Sequence, residues 1–441
     1  MNLPRDFVFG TSTAAYQIEG AATADGRGPS IWDTFCAEPG RIADGSSGAV
    51  ACGHYDRPAE DVALLKRLGA GGYRFSIAWP RIQPGGRGPV NAQGLAFYDR
   101  LVDALLEAGI RPMATLYHWD LPQELEDEGG WLSRDTAYRF GEYASVVAGC
   151  LADRVASWCP VNEPNVMTLQ GYALGELAPG KNLLFEALPA VHHALLGHGL
   201  AVQALRTAGA TGIGTATNHF PVRALGRSEA DRVAARFLDL LWNRLFADPI
   251  LLGRYPEGLG EGMPGPVAED LELIGQPLDF YGVNYYNPMG VRAAAPGSPL
   301  PFDYAELSGY PTTGFGWPVV PEGLTELLLD LHARYPGIPP VVITENGCSY
   351  PDAPDEQGVV DDQARIDYLQ AHLRAVEEAV AQGVDVRGYY CWSLMDNFEW
   401  AHGYTQRFGL VHIDFETLVR TPKRSFSWYA DLVRAHREGR A

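Results

Sequence analysis

The chain has 441 residues, of which 46% are hydrophobic and 20% charged, so a large folded core is expected and disorder is excluded. Its 54 acidic and 34 basic residues give a formal charge of -20, which disfavours nucleic acid and anionic membrane surfaces as partners and suits a neutral or cationic ligand. No apolar run approaches the roughly 20 residues that cross a bilayer, so no membrane span is expected.

The first residues, MNLPRDFVFG, contain no basic stretch followed by an apolar core, so no secretory signal is expected and a cytoplasmic location is predicted. The six cysteines lack paired metal-type spacing and are interpreted as reduced, mostly packed thiols. Nucleotide-binding glycine fingerprints and metal-binding helix motifs are also missing from the sequence. We therefore expect neither a metal nor a cofactor.

Short β-branched or aromatic runs alternate along the chain with amphipathic segments that end near glycine, which is typical of a parallel sheet covered by helices. In one such segment, apolar residues recur at helical spacing from Leu95 to Leu105 before Gly109 ends the pattern. The eight expected strands are, in chain order, 8–12, 73–78, 112–117, 155–161, 212–218, 280–285, 341–344 and 388–392.

Eight strands, each followed by helical sequence, are what a closed barrel requires, whereas an open doubly wound sheet usually has fewer strands and a glycine-rich phosphate turn. No low-complexity stretch or linker divides the sequence. The predicted fold is therefore α/β, a single TIM (β/α)8 barrel with elaborated loops after its strands, and residues 1–441 are expected to form one catalytic domain.

Two of the predicted strands deliver a glutamate to their C-terminal ends, Glu163 after the fourth strand and Glu345 at the end of the seventh. Catalytic side chains of such barrels lie at these ends, so both glutamates are expected at one mouth. Two carboxylates across a pocket can cleave an acetal, one protonating the leaving oxygen while the other attacks the anomeric carbon or activates water. A single glutamate more often caps a helix or forms an ion pair, so the argument depends on the pair.

Aromatic and hydrogen-bonding residues stand at the same predicted strand ends: His118, Trp119, Tyr285, Tyr286, Trp392, Glu399 and Trp400. Pyranose rings stack their C–H faces on aromatic planes, and their hydroxyl groups need polar partners. Each residue alone fits core packing equally well, but together with the glutamates they indicate a sugar site. The acidic run from Glu124 to Glu128 is flanked by glycine and is interpreted as a solvated loop without a catalytic role.

The sequence resembles glycoside hydrolase family 1, the β-glucosidase and β-galactosidase family, from about residue 6 to about residue 432. Seven landmarks of that family occur in order: FVFGTSTAAYQIEGA, YRFSIAWPRI, LYHWDLPQ, NEP, GVNYY, ITENG and WSLMDNFEWAHGYTQRFGL. The resemblance implies a TIM barrel that hydrolyses small β-linked glycosides with retention and without a cofactor, most commonly terminal nonreducing β-D-glucosyl residues of β-glucosides such as cellobiose.

By the same resemblance, Glu163 is expected to be the acid/base and Glu345 the nucleophile. The sugar-binding residues that it implies are Gln17, His118, Asn162, Tyr286, Trp392, Glu399 and Trp400. Arg74, Tyr286 and Asn284 would support the nucleophile, while Asn165 and Trp317 would lie on the leaving-group side. Retention requires the two carboxyl groups to lie roughly 5 to 5.5 Å apart. Glu163 would need a raised pKa, roughly 6 in comparable acids, whereas Glu345 should stay ionised.

Three positions depart from the family pattern. Asn165 replaces an aromatic residue that often follows NEP. Pro160 stands where threonine is usual, and proline removes a backbone donor beside the acid/base strand, so we expect a local adjustment without loss of activity. Glu176 occupies a loop position on the leaving-group side where histidine is common.

Three alternatives are weighed against a β-glucosidase. A 6-phospho-β-glycosidase is disfavoured because Glu399 would repel phosphate. A non-catalytic sugar-binding protein is disfavoured because both glutamates are present. A transglycosylase stays open, since a covalent intermediate can pass its sugar to an alcohol in place of water.

Overall fold

The computed structural model describes residues 2–440. Eight parallel strands form its centre: β1 Val8–Ser12, β2 Gly72–Ser76, β3 Arg111–Tyr117, β4 Ser157–Val161, β5 Thr217–Asn218, β6 Tyr281–Asn284, β7 Val341–Asn346 and β8 Val386–Trp392. In space they follow the order β4-β3-β2-β1-β8-β7-β6-β5, so each strand pairs with its sequence neighbour. Only β1 and β8 pair across the two ends of the chain.

Backbone bridges close this sheet into a barrel. Trp158 in β4 bridges Ile213, and Asn162 bridges Ala216, just before β5 begins. The Glu163 N–H donates to the carbonyl oxygen of Ala216 at 2.7 Å. The strands at the two ends of the order are thereby joined, and the predicted TIM barrel is confirmed.

Eight helices surround the strands: α1 Pro58–Leu68, α2 Ala92–Glu107, α3 Arg134–Leu151, α4 Leu188–Thr207, α5 Val267–Ile274, α6 Pro321–Arg334, α7 Gln363–Ala381 and α8 Arg424–Arg437. The pattern predicted from Leu95 to Leu105 falls within α2, whose buried face includes Leu101 and Leu105. Helix α1 starts with a proline. Proline has no backbone N–H, and a backbone N–H in the first turn of a helix has no partner within the helix. The helix is followed by Gly69, whose φ of 72° is left-handed.

The loops that follow the strands carry further structure, as expected for elaborated loops. Their helices are Ala15–Ile18, Ile31–Ala37, Trp79–Ile82, Gln123–Asp127, Pro164–Thr168, Glu229–Asp239 and Leu245–Leu252. Their strands are Val222–Ala224, Met289–Ala293 and Phe302–Tyr304 in one small sheet, and Val411–Ile413 and Arg420–Pro422 in a hairpin. Within the described residues, no helix combines the length and apolarity that a membrane crossing demands.

The interpretation of the acidic run as a solvated loop is wrong, because most of the run is helical and one of its carboxylates is buried. Residues Gln123–Asp127 form a short helix, and Glu126 is buried within it. Its carboxylate lies 2.8 Å from Lys181 Nζ and accepts a hydrogen bond from Tyr172. These partners come from the loop after β4, so the sequence around Glu126 does not predict that it is buried.

Candidate active site

A cavity of about 510 Å³ opens among the loops at the C-terminal ends of the barrel strands. Of the residues predicted for the site, eight line this cavity: His118, Glu163, Tyr286, Trp317, Glu345, Trp392, Glu399 and Trp400. The other five, Gln17, Arg74, Asn162, Asn165 and Asn284, lie behind its wall and contact lining residues or the loops that carry them. Among residues 2–440, no cluster of three or more His, Cys, Asp or Glu side chains is arranged to hold a metal ion.

Glu163 follows β4 and is 5% exposed. Its Oε1 atom accepts hydrogen bonds from Asn218 Nδ2 at 3.0 Å and from Asn284 Nδ2 at 2.9 Å. Burial and, second, the negative charge of Glu345 raise the pKa of this carboxyl to about 8, against the opposing effects of the amide hydrogen bonds and Arg74. Glu163 therefore carries a proton near neutral pH.

Glu345 lies in β7 and is 3% exposed. Arg74 Nη1 donates to its Oε1 atom at 2.6 Å, and the Tyr286 hydroxyl donates to Oε2 at 2.7 Å. Burial raises the pKa of Glu345, and Arg74 and Tyr286 oppose that rise, with a smaller contribution from Asn284. A guanidinium and a phenol thus oppose the effect of burial by favouring the ionised form, and they fix both carboxylate oxygens.

Asn162 connects the two carboxylates to the wall of the cavity. Its Oδ1 atom accepts hydrogen bonds from Arg74 and, at 3.1 Å, from Asn284, so its Nδ2 atom is left to donate to His118 Nε2 at 2.9 Å. Burial keeps the pKa of His118 well below its ordinary value, so the ring is neutral and its proton resides on Nδ1. That buried atom has no hydrogen-bond partner among the described residues.

Gln17 and Glu399 form a second polar pair at the inner end of the cavity. Gln17 Nε2 donates to Glu399 Oε2 at 3.3 Å and to Asn397 Oδ1 at 3.0 Å, while Gln17 Oε1 has no partner among the described residues. Burial, together with the charges of Glu345 and Glu163, raises the pKa of Glu399 to about 8. The pair offers both donors and acceptors, as bidentate binding of sugar hydroxyls requires.

Indole rings enclose the inner cavity. The Trp119 and Trp400 rings lie 4.6 Å apart, and the His118 ring lies 5.8 Å from the rings of both Trp392 and Trp400. Trp119, Glu163 and Trp400 have φ values of 79°, 45° and 49°, in the left-handed region that residues other than glycine rarely adopt. Three of the eight described non-glycine residues with positive φ therefore line the cavity.

The outer cavity is formed by the loops after β4, β5, β6 and β8. Trp317 stacks on Phe315 with ring centroids 4.1 Å apart, which makes an aromatic platform. Asn165, predicted to face the leaving group, is buried and donates to the backbone carbonyls of Asn218 and Trp242 at 2.7 and 3.2 Å. That prediction is corrected, since Asn165 supports two lining residues from behind.

Sequence reasoning missed Asn218, although its position at the end of the fifth predicted strand was a usable signal. Its Nδ2 atom donates to Glu163, and its Oδ1 atom accepts a hydrogen bond from Trp242 Nε1 at 3.0 Å. The side chain is therefore held in one orientation, with its donor directed at the carboxylate.

Pro160 lies between two backbone bridges, Trp158 to Ile213 and Asn162 to Ala216. Between these bridges the chain at β4 contains one more residue than the segment that leads into β5. Trp158 donates its N–H to the Gly212 carbonyl at 2.8 Å, and residue 160 would direct its N–H to the same side. A bulge interrupts regular pairing, so a proline that supplies no donor is tolerated there. The adjustment expected for Pro160 is thus local.

These features together define a barrel enzyme that cleaves glycosidic bonds with two buried carboxylates. A sequence model of the family described as Glycosyl hydrolase family 1 matches residues 1–438. The chain belongs to this family, as the resemblance implied.

Similar proteins agree with this assignment. Thermostable beta-glucosidase B of Thermobispora bispora is 49% identical, over 98% of this chain and 91% of its own length. The bifunctional beta-D-glucosidase/beta-D-fucosidase of Bifidobacterium breve is 45% identical over 99% of each chain. The solved structure of the family 1 b-glucosidase from Thermotoga maritima is 42% identical, with a TM-score of 0.95 over 98% of each chain. The expected enzyme class, a β-glucosidase, is confirmed.

Proposed function

We propose that this barrel is one catalytic domain that releases terminal nonreducing β-D-glucosyl residues from small β-glucosides with retention, using Glu345 as nucleophile and Glu163 as acid/base. A cytoplasmic location stays a prediction of the sequence. The separation of roughly 5 to 5.5 Å between the carboxyl groups, which retention requires, is part of the proposal.

The observation that carries the proposal is the different surroundings of the two carboxylates. Neutral amides contact Glu163, whose pKa is raised to about 8, so it can donate a proton to the departing oxygen. A guanidinium contacts Glu345 and favours its ionised form, which can attack the anomeric carbon. Environments that separate the pKa values of two carboxyl groups assign one as acid and the other as nucleophile.

The same geometry accounts for the second half of the reaction. When Glu345 forms the glycosyl ester it loses its negative charge, so the Coulombic contribution that raises the Glu163 pKa disappears. Glu163, deprotonated by the first step, then takes a proton from water as water attacks the ester. Release of the sugar restores both carboxyl groups and leaves the anomeric configuration unchanged.

The alternatives differ in what the cavity must accept. None of the described lining residues is a lysine or arginine, which disfavours a phosphorylated sugar. Transfer of the sugar to an alcohol uses the same intermediate, and analysis of the products separates it from hydrolysis.

The test is the initial rate on p-nitrophenyl β-D-glucoside, β-D-galactoside and β-D-glucoside 6-phosphate, with Glu345→Gln as the blank. We expect cleavage of the unphosphorylated glucoside and a loss of several orders of magnitude in the variant. Equal inactivity of wild type and variant on all three substrates would overturn the proposal.

A further inference from the structure

The mouth of the cavity contains a charged side chain that the reaction itself does not use. The inner residues His118, Trp392 and Glu345 are buried, whereas Glu176 is exposed and Tyr304 is 55% exposed. The sugar site therefore lies at the closed end, and the leaving group extends toward Glu176 and Tyr304.

Glu176 and Tyr304 come from different loops and both line the cavity. Glu176 belongs to the loop after β4, where its N–H donates to the Gln170 carbonyl at 2.8 Å. Tyr304 ends a strand of the small sheet after β6. The surrounding protein raises the pKa of the Tyr304 phenol, and the negative charge of Glu176 contributes to that rise.

The charge of the lining is of one sign. Four carboxyl groups line the cavity, those of Glu163, Glu176, Glu345 and Glu399, and the described lining residues include no lysine or arginine. The positive charge that pairs with Glu345 belongs to Arg74, which lies behind the wall. At the mouth the surrounding protein lowers the pKa of His402, so this ring is neutral near pH 7. Apart from Glu176, the outer cavity therefore presents aromatic, apolar and neutral polar groups.

We propose that Glu176 is a specificity-determining residue that selects neutral or cationic leaving groups and disfavours those that carry a carboxylate. The inference rests on the proposed β-glucosidase function and adds the chemical class of the leaving group. Aromatic rings such as Trp317 bind the apolar body of the leaving group. Glu176 attracts a positive charge, and repels a negative charge, at the outer end of the leaving group. Glu176 is exposed and its charge is screened by solvent, so its effect on rate is modest and depends on salt.

The experiment uses the β-D-glucosides of 4-hydroxyphenylacetate, 4-hydroxyphenylacetamide and tyramine, which are anionic, neutral and cationic near neutral pH. Methylene groups separate each charge from the phenol oxygen, so the three leaving groups have similar intrinsic reactivity. We would measure kcat/KM at low salt for the wild type, Glu176→Gln and Glu176→Lys. Glu186→Gln is the matched control, since it removes an exposed glutamate from the same β4–α4 connection outside the cavity.

We expect Glu176→Gln to raise the anionic-to-neutral ratio of kcat/KM by about threefold to tenfold, the size of one screened charge. Glu176→Lys should raise the ratio further, Glu186→Gln should not change it, and about 0.5 M salt should reduce the differences. Equal ratios in wild type and both Glu176 variants, with the neutral glucoside cleaved, would overturn this inference alone. Failure of every protein to cleave the neutral glucoside would overturn the proposed function, and this inference with it.

Discussion

Asn284 donates a hydrogen bond of 2.9 Å to Glu163 Oε1. Its amide also lies 3.1 Å from Asn162 Oδ1, so the end of β6 is tied to the end of β4. An uncharged donor orients the proposed acid without favouring its ionised form as strongly as a cation would. Arg74 provides a cation, but it donates to Glu345. The two glutamates are chemically identical, but their neighbours give them different properties. A neutral amide donates a hydrogen bond to Glu163, whereas a charged guanidinium donates to Glu345.

Glu163→Gln should slow hydrolysis most for substrates whose leaving group must be protonated as it departs. We expect cellobiose hydrolysis to fall by about 10²- to 10⁴-fold, because glutamine cannot donate the proton. A 2,4-dinitrophenyl glucoside should form the glycosyl-enzyme at a rate much closer to that of the wild type. Steady-state and burst kinetics on both substrates would check this, with Glu186→Gln as control. An equal loss in the first step on both substrates would contradict the role of Glu163.

The pH dependence of kcat/KM should reflect the proton on Glu163. Activity requires the protonated acid, so kcat/KM should fall as the pH rises through about 8. Glu345→Gln removes the neighbouring negative charge, so the pKa of Glu163 should be lower in that variant. Carbon-13 NMR of labelled glutamate would follow the Glu163 carboxyl directly and distinguish it from Glu399, whose pKa is also about 8. An unchanged Glu163 pKa in the variant would contradict the coupling.

Tyr286→Phe should slow the reaction and shift its acidic limb. Loss of the phenol leaves Glu345 Oε2 without that donor, which raises the Glu345 pKa further, so activity should be lost at a higher pH as the solution is acidified. A hydrogen bond to a charged group is worth about 1.5 to 3 kcal/mol, so kcat/KM should fall by roughly 10- to 150-fold. The neighbouring Tyr285→Phe is the control, because its hydroxyl bonds the Val320 carbonyl. A similar pH shift in both variants would argue against a specific effect on Glu345.

Lys423→Met should destabilise the fold. Lys423 is 1% exposed, and its Nζ atom lies 2.8 Å from both Asp352 and Asp396. Removing one partner of a buried ion pair leaves uncompensated charge and costs about 3 to 5 kcal/mol of unfolding free energy. Urea denaturation would measure the change, and exposed Lys66→Met should stay within about 0.5 kcal/mol of the wild type. A value as small as the control's would show that the network relaxes around the gap.

The sequence predicted the barrel because hydrophobic runs and helical periodicity are local signals. The boundaries were less accurate. The fifth strand was predicted over 212–218, but regular pairing covers only Thr217–Asn218, and the preceding residues contact neighbouring strands through single bridges. Such irregular pairing depends on the register of the closed barrel, which a single run of residues does not encode.

The site shows the same limit. Glutamates and aromatic residues at strand ends could be recognised from their positions alone. The burial of Glu126 depends on Lys181 and Tyr172 in another loop, and the inward position of Asn165 depends on the carbonyls of Asn218 and Trp242. Contacts between separate loops are set by tertiary packing, so local pattern could not reveal either one.

The left-handed backbone of Glu163 lowers the stability of the fold at a residue that catalysis requires. A φ of 45° costs a non-glycine residue about 1 to 3 kcal/mol, whereas glycine adopts it readily. Glu163→Gly would remove this strain together with a carboxyl that burial disfavours in its charged form. Selection of random variants for heat resistance alone would therefore tend to enrich an inert protein. Engineering of a more thermostable enzyme should measure catalytic turnover at every round, because the most stable sequence for this barrel is not the catalytically active one.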